Sequence, residues 1–144
     1  MTQPGNVYLI SCPEATRSIG DGISSPRQIQ GLYKIGLSRT LGYRFDKLQR
    51  ASPLPLEGLW SVDVENPHAL EDALHRLYAK QHDHAEWYWL TGKQAAWICA
   101  LDEETIERLI EAREQARRQE RRKAQDERNA LQKAKNRRKR RRRR

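Results

Sequence analysis

Hydrophobic positions come in short runs through the first two thirds of the chain and thin out beyond residue 110. Val7-Tyr8-Leu9-Ile10 follows Pro4-Gly5 and is too short for a helix, so it reads as a buried first strand. Residues 11–30 collect Gly20, Gly22, Ser24, Ser25 and Pro26 without any period, which predicts a long loop. β character resumes at Leu32-Tyr33-Lys34-Ile35 and stops at Gly36, giving a second strand able to pair with the first. Leu41, Phe45 and Leu48 then recur at i, i+4 and i+7, an amphipathic helix ending near Ala51, before Ser52-Pro53-Leu54-Pro55. A third strand over about 59–64 sets Trp60, Val62 and Val64 on one face and Ser61 and Asp63 on the other.

Asn66-Pro67 is a helix start, with Asn as cap and Pro at the first helical position. The helix it opens aligns Leu70, Ala73, Leu74, Leu77 and Tyr78 and runs to about Gln81. After His82-Asp83-His84-Ala85, the aromatic Glu86-Trp87-Tyr88-Trp89-Leu90 reads as a strand or extended edge, and Thr91 with Gln94 resembles a capping box. From about Asp102 the chain is Glu, Arg, Lys, Gln and Ala, acidic early and basic late, around one apolar cluster of Ile106, Leu109 and Ile110. That predicts one long helix, docked at its first turns and solvated afterwards. The expected fold is α+β, a small sandwich with a short, mostly antiparallel sheet flanked by helices and a long charged C-terminal helix.

Charge sharpens the division. The formal net charge is +9, yet residues 1–100 balance ten basic against ten acidic side chains, and residues 101–132 hold eight against nine. The excess therefore sits in residues 133–144, with ten basic side chains and no acidic one. Such a block repels itself and has little apolar surface to offset ordering entropy, so it is expected to be disordered when free and to bind phosphates by releasing counterions. A nuclear-localisation signal or a solubilising tail fits the same composition. The expected organisation is a domain over 1–100, a charged helix over 101–132 and an Arg/Lys-rich tail over 133–144. Cys12 and Cys99 form no ligand pattern, no leader-like segment or apolar span of about 20 residues is present, and the expectation is an intracellular, cytoplasmic or nucleoid-associated protein, nuclear in a eukaryote. A metal site from His82 and His84 with His75 and Glu86 lacks a matching ligand pair.

The polar residues beside the elements carry the candidate chemistry. Tyr8 and either Tyr33 or Lys34 sit on neighbouring strands, Arg44 follows on the helix, and Glu71 and His75 share a face four residues apart. Phosphodiester hydrolysis needs charge neutralisation, a Lewis acid and a base. Arg44 can supply the first, Glu71 a ligand for the second, and a tyrosine phenol the third if Lys34 or Arg44 lowers its pKa from about 10. Taken singly, each also has a structural reading: a core aromatic, an arginine laying its stem on the core, and a carboxylate favoured at a helix start.

Together the pattern resembles the GIY-YIG nuclease superfamily over residues 7–90. Val7-Tyr8-Leu9 is similar to the GIY strand and Lys34-Ile35-Gly36 to the YIG strand; Arg44 lies eight residues after Gly36, and Glu71-Asp72-Ala73-Leu74 matches the E-x-x-L helix. The Leu74-His75 pair and the closing aromatic run resemble a phage-associated, eukaryotic-Mug-like branch often labelled as a DNA-binding domain. The resemblance implies a metal-dependent DNA endonuclease. It assigns catalytic roles to Tyr8, Lys34, Arg44 and His75, and Mg²⁺ or Mn²⁺ binding to Glu71. It leaves the roles of Tyr33 and Glu86 open. Nucleic-acid contacts are expected at Arg44 and Lys47 and in the tail at Arg137, Arg138, Lys139 and Arg140. The chain departs in a doubled gap between the motifs and in Lys34, which stands where the second tyrosine belongs; Tyr33, one residue earlier, points to the other sheet face. The alternatives are a non-catalytic DNA-binding module of the same fold and a nucleic-acid-associated assembly protein.

Overall fold

Val7, Leu9 and Ile35 are completely buried, and the strands that carry them form the centre of the sheet. The structure, a computed structural model, describes residues 3–141. In chain order it contains β1 (Gly5–Ile19), β2 (Gln28–Ser38), α1 (Leu41–Ala51), β3 (Glu57–Val64), α2 (Pro67–Leu77), a 3-10 turn (Ala79–Gln81), β4 (His82–His84), β5 (Trp87–Thr91), α3 (Gly92–Cys99) and α4 (Glu103–Arg141). The five strands lie in the order β3-β1-β2-β5-β4, and every pair is antiparallel. The α+β architecture and long terminal helix agree with the pattern of the sequence.

Directly opposed residues in a ladder share a face. The partners Tyr8 and Gly36, Ile10 and Lys34, and Tyr8 and Ser61 therefore point to one side; Val7 with Leu37, Leu9 with Ile35, and Val7 with Val62 point to the other. That second side is the core, where Leu70 and Leu74 of α2, Ala95 and Ile98 of α3 and Ile106 of α4 pack. At about 25 cal/mol per Å² of apolar surface, this one cluster is the main source of folding free energy. α1 contributes no fully buried residue, so its apolar stripe is only part-covered.

Local chemistry fixes the helix starts. The Asn66 side chain accepts from Ala69 N at 3.2 Å with Pro67 behind it, Thr91 and Gln94 complete a reciprocal capping box, and Asp102 accepts from Thr105 N at 2.7 Å. α2 ends at Leu77, earlier than expected, and continues only as the 3-10 turn.

The loop expected over residues 11–30 is instead a β-ribbon. β1 runs on to Ile19 and β2 begins at Gln28, pairing Thr16 with Gly31 through Ile19 with Gln28. Pro13, Glu14 and Ala15 bulge between the Cys12 and Thr16 rungs, a position where a proline costs no ladder hydrogen bond. The ribbon is mostly exposed beyond the bulge, so no hydrophobic alternation marks it in the sequence. Its turn is held by the Asp21 carboxylate, which accepts from the backbone N–H groups of Ile23, Ser24 and Ser25 at 2.8 to 3.0 Å. A three-residue β4 also forms where a loop was expected.

The chain divides into a unit through Ile110 and a second from Glu111. The boundary falls later than residue 100 because Ile106, Leu109 and Ile110 belong to the first core. In the second unit α4 stays helical through Arg141, over most of the segment expected to be disordered; residues 142–144 lie outside the described residues. Residues 103–141 contain no Gly or Pro and are rich in Ala, Glu, Gln, Lys and Arg, whose intrinsic helix propensity opposes the like-charge repulsion that suggested disorder.

Candidate active site

β5 stops pairing with β2 at the Lys34–Trp87 rung, leaving the outer edge of β2 beside Gly36 without a neighbouring strand. The candidate site lies there. Tyr8, pointing across from β1, lays its ring over residue 36: a β-carbon at that position would stand 2.5 Å from the phenol oxygen, so only glycine fits. Arg44, in the first turns of α1, donates from Nε toward the Tyr8 hydroxyl at 3.5 Å, at the outer limit of hydrogen bonding.

Glu71 and His75 arrive from the second turn of α2 and the turn after it. Burial, then the neighbouring Glu86 carboxylate, raise the Glu71 pKa to about 7, with Lys34 opposing and a Glu71–Glu86 hydrogen bond adding to the rise. The two carboxyl groups oppose each other's ionisation, and the effect falls on Glu71. Buried Lys34 donates from Nζ to Glu86 Oε2 at 2.6 Å and lies 5.8 Å from the centre of the Trp87 ring. Glu86 is itself held by its backbone carbonyl, which accepts from Ile35 N at 3.1 Å. His75 Nε2 bonds the Ile35 carbonyl at 2.8 Å, 3.9 Å from Glu71 Oε1, and its ring stacks on Tyr88. A carbonyl only accepts, so Nε2 carries the hydrogen of this bond.

The structure thus brings Tyr8, Lys34, Arg44, Glu71, His75 and Glu86 to one edge of the sheet. Tyr33 is not among them: it opposes Tyr88 on the core side, where burial raises its pKa. The expectation that a cation lowers the Tyr8 pKa fails on balance, because burial outweighs Arg44 and the pKa is raised. Lys34 is committed to Glu86. Lys47 is exposed on α1, and Arg137, Arg138, Lys139 and Arg140 are exposed on α4 in the second unit. Sequence reasoning left Glu86 without a role, because its pairing with Lys34 spans 52 residues and depends on the β2–β5 register. It also passed over Arg17, whose guanidinium lies 4.7 Å from the centre of the Trp89 ring and donates to Gln30.

The donor set fits a hard divalent cation. Mg²⁺ takes one or two carboxylates and keeps several waters, and the neighbouring Glu71 and Glu86 carboxyl groups are that kind of ligand. Among the described residues no group of three His, Cys, Asp or Glu converges, so neither an all-protein cage nor the His82/His84 site forms. His82 Nε2 instead contacts the Ala85 carbonyl, and His84 pairs with Asp83.

These features define a small α+β domain with a polar, carboxylate-bearing site at a sheet edge. The T5orf172 domain model matches residues 5–101, two thirds of the chain, and the protein belongs to that family. No curated protein and no solved structure matches the chain.

Proposed function

We propose that the protein is a metal-dependent endonuclease that hydrolyses phosphodiester bonds of DNA. The observation that carries the reading is the convergence of the Tyr8 hydroxyl, the Arg44 guanidinium and the Glu71–Glu86 carboxyl pair beside Gly36. Resemblance to GIY-YIG nucleases at the motifs around Tyr8, Gly36, Arg44 and Glu71 supports it, as does the all-antiparallel sheet. In this reading Arg44 grips the scissile phosphate and neutralises charge that builds on its oxygens. Glu71, assisted by Glu86, would hold Mg²⁺ or Mn²⁺, which when bound supplies Lewis-acid polarisation of a phosphoryl oxygen. Lys34 keeps Glu86 in place by their 2.6 Å ion pair. Tyr8 orients the attacking water through its hydroxyl; as the water oxygen bonds to phosphorus the bond to the leaving sugar oxygen breaks, the water's proton passes to solvent and the leaving oxygen takes one up from solvent, while His75 holds the β2 backbone beside the site through the Ile35 carbonyl. The basic residues of α4 add sequence-independent affinity for the phosphate backbone.

A second reading, a DNA-binding module without turnover, is favoured by the raised Tyr8 pKa and by the engagement of Lys34 with Glu86, which leave no phenolate at neutral pH. Supercoiled plasmid incubated with Mg²⁺ or Mn²⁺ separates the two. Nicking by the wild type that falls at least roughly 100-fold in Arg44→Ala and Glu71→Ala supports the nuclease; binding without nicking supports the module; nicking that persists in both variants removes the assigned site.

A further inference from the structure

Beside Tyr8 lies an open groove of about 560 Å³ between α1 and the β1–β3 ladder. Its walls are Ile10, Leu41, Phe45, Gly58, Leu59 and Trp60, and Tyr8 borders both the groove and the candidate active site. The groove exists because α1 is amphipathic yet buries none of its stripe completely, and because glycine at 58 leaves one wall without a side chain: a β-carbon there would meet only Phe45, at 3.9 Å. Nothing in the catalytic reading uses this space.

The helix around it says what belongs there. Arg44, Lys47 and Arg50 succeed one another at three-residue spacing along the flank of α1 beside Leu41, Phe45 and Leu48, with a single acid, Asp46, on the helix. Exposed Tyr43 lies between Lys47 and Arg50 on that flank. An apolar, aromatic-walled slot beside a row of cations has the complementarity of a nucleotide strand, with base in the slot and phosphates on the cations. Continuity with the site fixes which base: Tyr8 lines the slot, and its hydroxyl lies 3.5 Å from Arg44 Nε.

We infer that this groove receives one unpaired nucleobase adjoining the phosphate that Arg44 contacts, so that the protein acts on single-stranded, flapped or locally opened DNA. The inference rests on the nuclease or DNA-binding reading of the same site, whose own test is loss of function in Arg44→Ala. The measurement is affinity at fixed salt for a single-stranded oligonucleotide carrying one 2-aminopurine and for the fully paired duplex of the same length, each with the full chain. Stacking of one base on an aromatic side chain is worth about 1–3 kcal/mol. Phe45→Ala is therefore expected to lower the ratio of single-strand to duplex affinity by about 5- to 150-fold. Gly58→Val, which fills the slot on a strand position that tolerates a β-branched residue, is expected to lower it likewise while the melting temperature holds, which guards against misfolding as the cause. 2-Aminopurine fluorescence is quenched on wild-type binding and unquenched in both variants. A ratio unchanged in Gly58→Val, or equal losses on single strand and duplex, overturns the inference. If Arg44→Ala still abolishes nicking or binding in that case, the phosphate reading stands without the base slot; if Arg44→Ala has no effect and the ratio is unchanged, both fall.

Discussion

Glu71 is the residue whose ionisation is most visible in stability. Its folded pKa of about 7 lies above its ordinary value of 4.5, so ionisation opposes folding. The penalty is therefore absent below about pH 4.5, grows as pH rises toward 7, and is complete above it. In EDTA at about pH 8, Glu71→Gln is expected to be more stable than wild type by roughly 1–3 kcal/mol, with the difference gone at about pH 4. Adding Mg²⁺ under the same alkaline conditions is expected to raise the melting temperature of the wild type and not of Glu71→Gln; equal responses would argue against a cation between Glu71 and Glu86. Gly36 is a second sensitive position. Gly36→Ala places a β-carbon against the Tyr8 hydroxyl and is expected to cost about 1–3 kcal/mol and to displace the phenol, seen as destabilisation in urea together with loss of function. At this scale much was legible. Alternation along one strand already separates Tyr33 from Lys34, whereas Gly36 read only as a strand end and its close approach to Tyr8 is seen in the structure alone. The Lys34–Glu86 pair was not legible, since no local rule brings residues 52 apart together.

At the level of elements, α2 and α3 announced themselves through their caps, α1 through its apolar spacing and α4 through its composition. Asn66→Ala removes the acceptor for Ala69 N and is expected to destabilise the first unit by about 1 kcal/mol, a fall of a few degrees in the melting curve. α2 matters beyond its stability, because its first turns aim Glu71. The strands were legible only where one face is buried: Val7, Leu9 and Ile35 drew their own pattern, whereas the ribbon beyond Cys12 is wet on both faces and carried no signal. β4, three exposed residues paired to β5, was invisible for the same reason.

For the molecule as a whole, excess charge and the candidate site occupy different stretches of chain. The first hundred residues are neutral overall, and the surplus of cations belongs to residues 133–144. Truncation after residue 132 is expected to reduce the steepness of log affinity against log salt by about 0.9 for each phosphate no longer neutralised, with plasmid nicking at low salt retained. An unchanged slope would move the electrostatic anchor back to α1. Composition disclosed this partition without any structure; the helical state of the basic segment depends on propensity outweighing repulsion, which a charge count does not report.

The bulge at Pro13–Ala15 sets a parity. Three residues is an odd number, and in a pleated strand an odd insertion inverts which positions look which way. Before the bulge the even positions Tyr8 and Ile10 face outward from the core; after it the odd positions Arg17 and Ile19 do, opposite Gln30 and Gln28. Arg17 thereby joins Lys34 and Trp89 on the outward side, although strict alternation counted from Tyr8 would have sent it to the other. What β1 adds to the ribbon's outer face is thus residues that an unbroken zigzag would have turned to its other face, and the chemistry there depends on whether the surplus is odd or even rather than on its length.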